Sequence, residues 1–354
     1  MPKQLRIIIA GGGTGGHIFP AIAVAQAIQK ILPDAAILFV GAKGKMEMEK
    51  VPQAGYEIIG LTIGGLNRSN LFANWNLPFK LGKSFFQVRS IFKNFKPNAV
   101  FGVGGYSSFP VLKFAQTKNI PTFIHESNAF AGKSNLWLSK DATQIFTGTK
   151  GMDAFFPAHK TIVTGNPVRK NIIETTTTME AALLQFGLLP SRKTLLIIGG
   201  SLGARSINDC ILTNLPQFVE ANIQLIWQTG KSNASEYARA ASNYSNVYVS
   251  SFIDNMSAAY TATDIVVSRA GAMAVAEICI TGKPCVFVPY PLAAEDHQTY
   301  NAMTLVNEGA ALMVADNAVN EKLMSNTLDS PYFFTSNLRQ GKGNDVRDLE
   351  IDIF

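Results

Sequence analysis

Apolar residues in this chain gather in short unbroken runs, and the stretches between them carry helical spacing. In the first half, the runs at 5–9, 37–40, 99–103, 122–125, 144–147 and 161–163 predict strands. They are apolar at consecutive rather than alternate positions, as in a parallel sheet covered on both faces. Helices are predicted between them over 20–31, 77–95, 108–116 and 133–140. The second half repeats the rhythm. Strands are predicted at 194–198, 224–228, 247–250, 265–268, 285–288 and 311–314, and helices at 205–219, 232–241, 256–261, 273–281 and 297–308. Alternating strands and helices predict an α/β fold of two doubly wound, Rossmann-like domains. Gly165-Asn166-Pro167 and the polar run 175–178 interrupt the pattern, which puts the domains at 1–166 and 167–354. Ligands of such sheets sit at strand C-termini, so two sheets facing each other would share a cleft. After about Leu323 the helical period disappears, and 329–354 predicts no amphipathic helix.

Composition agrees with two packed domains. A chain of 354 residues is long for one core, and 47% apolar with 16% charged residues describes a globular protein. Cys210, Cys279 and Cys285 lack metal or disulfide spacing, which predicts a reducing compartment. The first apolar run ends at Ala10 in a glycine turn, too short for a secretory signal. No run reaches the ~18–20 residues of a membrane span. These features predict a cytoplasmic protein. The net charge of +6 is unevenly spread. From Ile58 to His125 there is no Asp or Glu, while Arg68, Lys80, Lys83, Arg89, Lys93, Lys96, Lys113 and Lys118 fall inside. The first domain is therefore expected to meet an anionic partner: a membrane surface, an acidic substrate or nucleic acid.

The chemistry lies where strands end. Gly12-Gly13-Thr14-Gly15-Gly16 follows the first strand, and Gly199-Gly200-Ser201-Leu202-Gly203 follows the strand that opens the second half. A glycine turn entering a helix presents uncrowded N–H groups to an anion; a purely structural turn is the alternative. A dinucleotide site would want an acid at the end of the second strand, but that strand ends Phe39-Val40-Gly41-Ala42-Lys43, which argues against NAD. His17 follows the first turn, where a neutral imidazole can accept a proton; helix capping or packing is its other reading. Gly102-Val103-Gly104-Gly105-Tyr106-Ser107-Ser108 is a third glycine loop, suited to an acceptor pyrophosphate or simply a tight turn. His125-Glu126-Ser127-Asn128 puts polar groups at a strand end, as a substrate contact would. Arg169 stands at the domain junction, as a phosphate clamp or a surface arginine. Ser268-Arg269-Ala270-Gly271 opens a helix through Ala272, Met273, Ala274, Val275, Ala276 and Glu277. Its small residues let a diphosphate approach the backbone, and a carboxylate inside an apolar helix suits the paired hydroxyls of ribose. Glu295-Asp296-His297-Gln298 opens the next helix and can reach a sugar.

Seven of these motifs occur in the order of one family. Gly-Gly-Thr-Gly-Gly-His, Gly-Gly-Tyr, His-Glu-Ser-Asn, Gly-Asn-Pro-Val-Arg, Gly-Gly-Ser-Leu-Gly-Ala, Ser-Arg-Ala-Gly-Ala and Asp-His-Gln make the chain, over about 5–320, resemble the MurG family. The resemblance implies a GT-B fold and transfer of N-acetylglucosamine from UDP-N-acetylglucosamine to undecaprenyl-linked lipid I, giving lipid II for peptidoglycan. It implies donor contacts at Thr14, Gly15, Gly16 and Asn128, and diphosphate contacts at Arg169 and Ser201. Uracil would meet the backbone of Ile253, diphosphate and ribose Ala272 to Glu277, and the sugar Gln298. Gly104, Gly105, Tyr106 and Glu126 are the candidate acceptor contacts. His17 is the candidate base. The scheme uses no cofactor and no protein-bound metal. It places the enzyme at the cytoplasmic face of the cell membrane, against anionic lipid and among cell-wall and division machinery, with no nucleic-acid partner. Two departures stand out. Ala274 replaces a hydroxyl residue common in the family, and the tail lacks the family's closing helices. The rival readings are a dehydrogenase, a nucleic-acid module built on the basic aromatic stretch 71–96, and another UDP-sugar enzyme such as an epimerase or glycolipid synthase.

Overall fold

A computed structural model describes residues 4–13, 15–64, 75, 77–200 and 202–328, without the side chains of Leu77, Pro78, Lys80 and Leu81. The expected sites Thr14 and Ser201, the segment with Leu71 and Phe72, and the tail from 329 lie outside the described residues. The chain divides into two compact units after Arg169.

The first unit holds seven parallel strands: β1 Arg6–Ala10, β2 Ala36–Ala42, β3 Glu57–Leu61, β4 Ala99–Gly102, β5 Thr122–Glu126, β6 Gln144–Thr147 and β7 Thr161–Val163. Their order is β3-β2-β1-β4-β5-β6-β7, so winding reverses between β1 and β4. The apolar runs are unbroken because both faces are buried. Ile8 and Ala10 join a core with Val88, Ile91, Phe92, Val111 and Leu112. Ile7 and Ile9 face the other way, onto Ile18, Ala21 and Ala25. Each fully buried aliphatic side chain contributes about 1.5–3 kcal/mol.

The second unit has six parallel strands: β8 Lys193–Ile198, β9 Ile223–Gln228, β10 Val247–Ser250, β11 Ile265–Ser268, β12 Cys285–Phe287 and β13 Leu312–Met313. Their order, β10-β9-β8-β11-β12-β13, repeats the first unit's winding, with its reversal between β8 and β11. Two doubly wound α/β domains are thus present, as the apolar runs predicted.

Several local expectations are corrected. The first helix starts at Gly15, not at Pro20, and runs to Ile31. Pro20 therefore sits in its second turn and cannot donate to the carbonyl four residues back. The helix expected over 205–219 is two, Arg205–Thr213 and Leu215–Glu220, broken at Asn214 just before Pro216. Strand β3 and the helices Glu47–Gln53, Lys170–Ile173, Met179–Gln185 and Val319–Leu328 are additional. The last keeps helical structure beyond Leu323, where the period is lost in sequence, because Val319, Leu323 and Thr327 share one buried face.

The helix Leu77–Phe95 has two contrasting sides. Ser84, Val88, Ile91 and Phe92 are buried, whereas Phe79 and Phe86 are 75% and 77% exposed beside exposed Lys83, Arg89 and Lys93. Trp75, just before it, is also exposed.

Candidate functional site

In the first unit two glycine loops meet at the point where winding reverses. The loop after β1 and the loop after β4 touch backbone to backbone: a Cβ on Gly105 would collide with the Gly12 carbonyl, and one on Gly11 with Val103. Gly104 leaves room for the ring of His17, whose Cδ2 and Nε2 would lie 3.0 Å from a Cβ there. Gly104 and Gly105 both take positive φ, which glycine adopts without strain. Tyr106 lies against Gly13. Burial and the charge of Glu47 push its phenol above the ordinary value.

The end of β5 organises the rest. Glu126 is buried, and all its acceptor positions face protein donors. Oε1 accepts from the Asn128 N–H and side-chain amide, both at 3.1 Å; Oε2 accepts from the Gly132 N–H at 3.0 Å and the Asn135 amide at 2.8 Å. Glu126, the candidate acceptor contact, braces the 127–132 loop. His125 Nε2 lies 3.2 Å from the Gly165 carbonyl and Nδ1 lies 3.2 Å from the Ser127 hydroxyl. A carbonyl only accepts, so Nε2 carries the proton and Nδ1 accepts from Ser127. Asn166 donates to the Ser127 carbonyl at 3.0 Å. The junction motif is therefore tied to β5, and Arg169 stacks its guanidinium 5.1 Å from the Phe19 ring centre on the first helix. Tyr106 Oη, Ser107 Oγ, Asn135 Oδ1 and Asn166 Oδ1 are buried without a partner. Orphan polar atoms in a native fold call for an explanation, and a bound ligand supplies one.

Burial holds the His125 imidazole below its ordinary value, against the opposing pull of Gly165 and Glu126. Protons then bind the unfolded chain more readily than the fold as pH drops below about 6.5. This contribution is complete above that pH and is lost on acidification, by at most ~1.4 kcal/mol per pH unit. Urea midpoints at pH 7.5, 6.5 and 5.5 should fall in sequence, and less steeply in His125→Gln.

In the second unit the glycine turn after β8 is backed by neutral groups. Gly203 donates to the Gly200 carbonyl at 3.1 Å. Gln228, ending β9, donates to the Gly200 carbonyl at 3.3 Å and accepts from the Ile253 N–H at 3.0 Å. With that N–H committed, Ile253 has its carbonyl to offer a base. The helix Ala272–Thr281 starts from Gly271 with no side-chain cap, so its first amides have no intrahelical acceptor. Met273, Val275, Ala276 and Glu277 are buried, and Ala274 is half-buried. Glu277 accepts from the Tyr260 hydroxyl at 3.2 Å, which offsets part of its desolvation. Gln298 Oε1 accepts from the Tyr290 N–H at 2.9 Å, leaving its amide to donate elsewhere. Just before it, Glu295 and Asp296 both adopt left-handed φ, near +50°; such strain clusters at functional loops.

Comparison with known proteins follows these two halves. Residues 7–147 match the glycosyltransferase family 28 N-terminal domain, and residues 194–342 match its C-terminal domain. The chain is 51% identical, over 93% of its length and 90% of the relative's, to the UDP-N-acetylglucosamine--N-acetylmuramyl-(pentapeptide) pyrophosphoryl-undecaprenol N-acetylglucosamine transferase of Bacteroides thetaiotaomicron. The chain belongs to glycosyltransferase family 28, in its MurG branch. The transferase of the same name from Cytophaga hutchinsonii is 47% identical, over 93% of the chain and 89% of that protein. The crystal structure of Acinetobacter baumannii MurG superposes with a TM-score of 0.69 at 28% identity, over 98% of both chains. A UDP-GlcNAc 2-epimerase from Neisseria meningitidis, at 15% identity, a TM-score of 0.59 and coverage of 94% and 93%, shares the fold alone. Within this MurG-family chain, three residues of the sites escaped the motif reading, Glu47, Asn135 and Gln228, while Arg269 stood in a motif without a role of its own. Arg269 donates to the carbonyls of Val288 and Pro289 at 3.1 Å, to Asp316 at 2.6 Å and to Ser206 at 3.1 Å. It knits the loop before Gly271 to three neighbouring segments. Gln228 had a signal, a polar residue ending an apolar strand; Gly13, which Glu47 supports, and Asp316, which Arg269 pairs, are 34 and 47 residues away and leave no local trace.

Proposed function

We propose that this protein transfers N-acetylglucosamine, with inversion at the anomeric carbon, from UDP-N-acetylglucosamine to the muramoyl 4-hydroxyl of lipid I, giving lipid II. The observation that carries the reading is 51% identity across 93% of the chain to a transferase of that name. On this reading each domain has its own task. In the second, Glu277 takes the ribose hydroxyls, the Ile253 carbonyl reads uracil, and the Gln298 amide donates to the sugar. The turn with Ser201 and the amides of Ala272, Met273 and Ala274 receive the diphosphate. In the first, Gly104, Gly105 and Tyr106 receive the acceptor, over a loop braced by Glu126. Thr14, Gly15, Gly16 and Asn128 complete the donor contacts.

Chemistry then needs two things: a base for the attacking hydroxyl and support for departing UDP. His17 takes the hydroxyl proton as oxygen bonds to the anomeric carbon. The sugar–phosphate bond breaks on the opposite face. The charge growing on UDP is met by helix amides and the Arg169 guanidinium, which supply what a bound metal supplies elsewhere. Incubation with UDP-N-acetylglucosamine and a short-chain lipid I analogue should yield the disaccharide by mass spectrometry. Conversion of the donor to its 2-epimer, with no disaccharide, would overturn the reading.

The acceptor's lipid stays in a bilayer, so the enzyme works peripherally at the cytoplasmic face. No helix among the described residues is long and apolar enough to cross a membrane. Exposed Phe79 and Phe86 beside Lys83, Arg89 and Lys93 support anchoring through the helix Leu77–Phe95. A groove of about 520 Å³ lined by Arg89, Lys93, Lys96 and Lys118 with Phe92 and Phe114 continues the basic surface. Each cation near an anionic leaflet contributes about 1 kcal/mol. Lys83→Glu combined with Lys93→Glu and Phe86→Ser should release the protein from phosphatidylglycerol vesicles. Turnover of a long-chain acceptor should fall far more than that of a water-soluble one. Unchanged sedimentation with vesicles would move the membrane contact elsewhere.

A further inference from the structure

Glu47 stands in none of the motifs, yet it lies beneath the first glycine turn. The residue is 1% exposed. Oε1 accepts from the N–H of Ala42 at 2.9 Å and of Gly13 at 3.2 Å, and Oε2 accepts from Gly13 at 3.1 Å. A Cβ on Gly12 would collide with this carboxylate, and one on Gly41 would lie 2.6 Å from Glu47 Cγ. The corresponding turn after β8 is backed instead by the neutral Gln228 amide and the Thr229-Gly230 backbone. Two turns alike in sequence thus differ in charge. The first already holds an anion, placed where a helix N-terminus favours one.

Given the acceptor-side role of His17 argued above, we propose that Glu47 is a positioning residue: its carboxylate sets the turn that carries His17 and closes that turn to phosphate. A second anion beside a buried one is strongly disfavoured at low dielectric. The first turn then faces only neutral sugar, and diphosphate goes to the second domain and the Gly104-Gly105 loop.

Hydrogen exchange on the wild-type chain with saturating inorganic pyrophosphate or UDP tests this. Segments 199–204 and 271–275 should gain protection, and 11–17 should not. In Glu47→Gln, pyrophosphate should protect 11–17, and kcat should fall about tenfold or more while KM for UDP-N-acetylglucosamine stays within about twofold. Glu47→Asp, which keeps the charge, should keep the turn closed to pyrophosphate. Protection of 11–17 in the wild type overturns the proposal, even if the Gln variant fails to fold. So does a folded Gln variant with unchanged kcat and no new protection. Failure of UDP to protect 271–275 would count against the donor site, and 11–17 would still decide the role of Glu47.

Discussion

Replacing His17 with alanine should lower turnover about 10²–10⁴-fold, the range for a positioned acid–base group. The ring rests over Gly104, beside the loop assigned to the acceptor. His125, the other imidazole of this site, cannot take over. Its Nε2 proton is held by the Gly165 carbonyl and its Nδ1 accepts from Ser127. Burial also keeps it poorly basic. UDP affinity should survive, since the nucleotide contacts proposed above, Arg169 apart, come from the second domain. Steady-state rates with a soluble acceptor and calorimetric titration of UDP separate the two effects. Near-normal turnover in this variant would remove His17 as the base.

Gly203→Ala should destabilise the second domain by about 3 kcal/mol and weaken UDP binding with it. Gly203 has φ +87°, where a Cβ carries its own penalty, and that Cβ would collide with the Thr229 carbonyl. Neither side can yield easily. The Thr229 N–H donates to Ser250, and its carbonyl accepts from the Asn208 amide at 2.8 Å. Asn208 in turn holds the buried Trp227 indole at 2.9 Å. Gly230 presses on the turn from the same side, leaving no direction for relief. Urea unfolding and calorimetry with UDP measure both effects. An unchanged midpoint would mean that the turn relaxes without cost.

The features that escaped a linear reading share a cause. Strand β3, Glu57–Leu61, is an edge strand whose run is interrupted by Gly60 and opened by exposed Glu57, so its apolar signal is short. Gly60 is small because Lys43 and Met48 fill the space above it. The helix Val319–Leu328 is mostly polar, and Val319 and Leu323 hold it to the core that contains Cys210 and Ile211. In each case the stabilising contact comes from another part of the chain.

The sequence by itself determined the two parallel α/β domains, the glycine turns that open their helices, and the family, because apolar runs and turn glycines are encoded within a few neighbouring residues. It also marked His17, Glu126 and Glu277 as unusual, because charge and imidazole at strand ends or in an apolar helix stand out locally. Only the tertiary structure decided which groups they meet. It spent both oxygens of Glu126 on a loop, gave Glu277 a tyrosine partner, and brought Glu47 back under a turn 34 residues earlier. It also split the aromatic residues of one helix between core and solvent. A buried polar group must find its partners wherever the fold places them, and that pairing is set by how strands and helices pack.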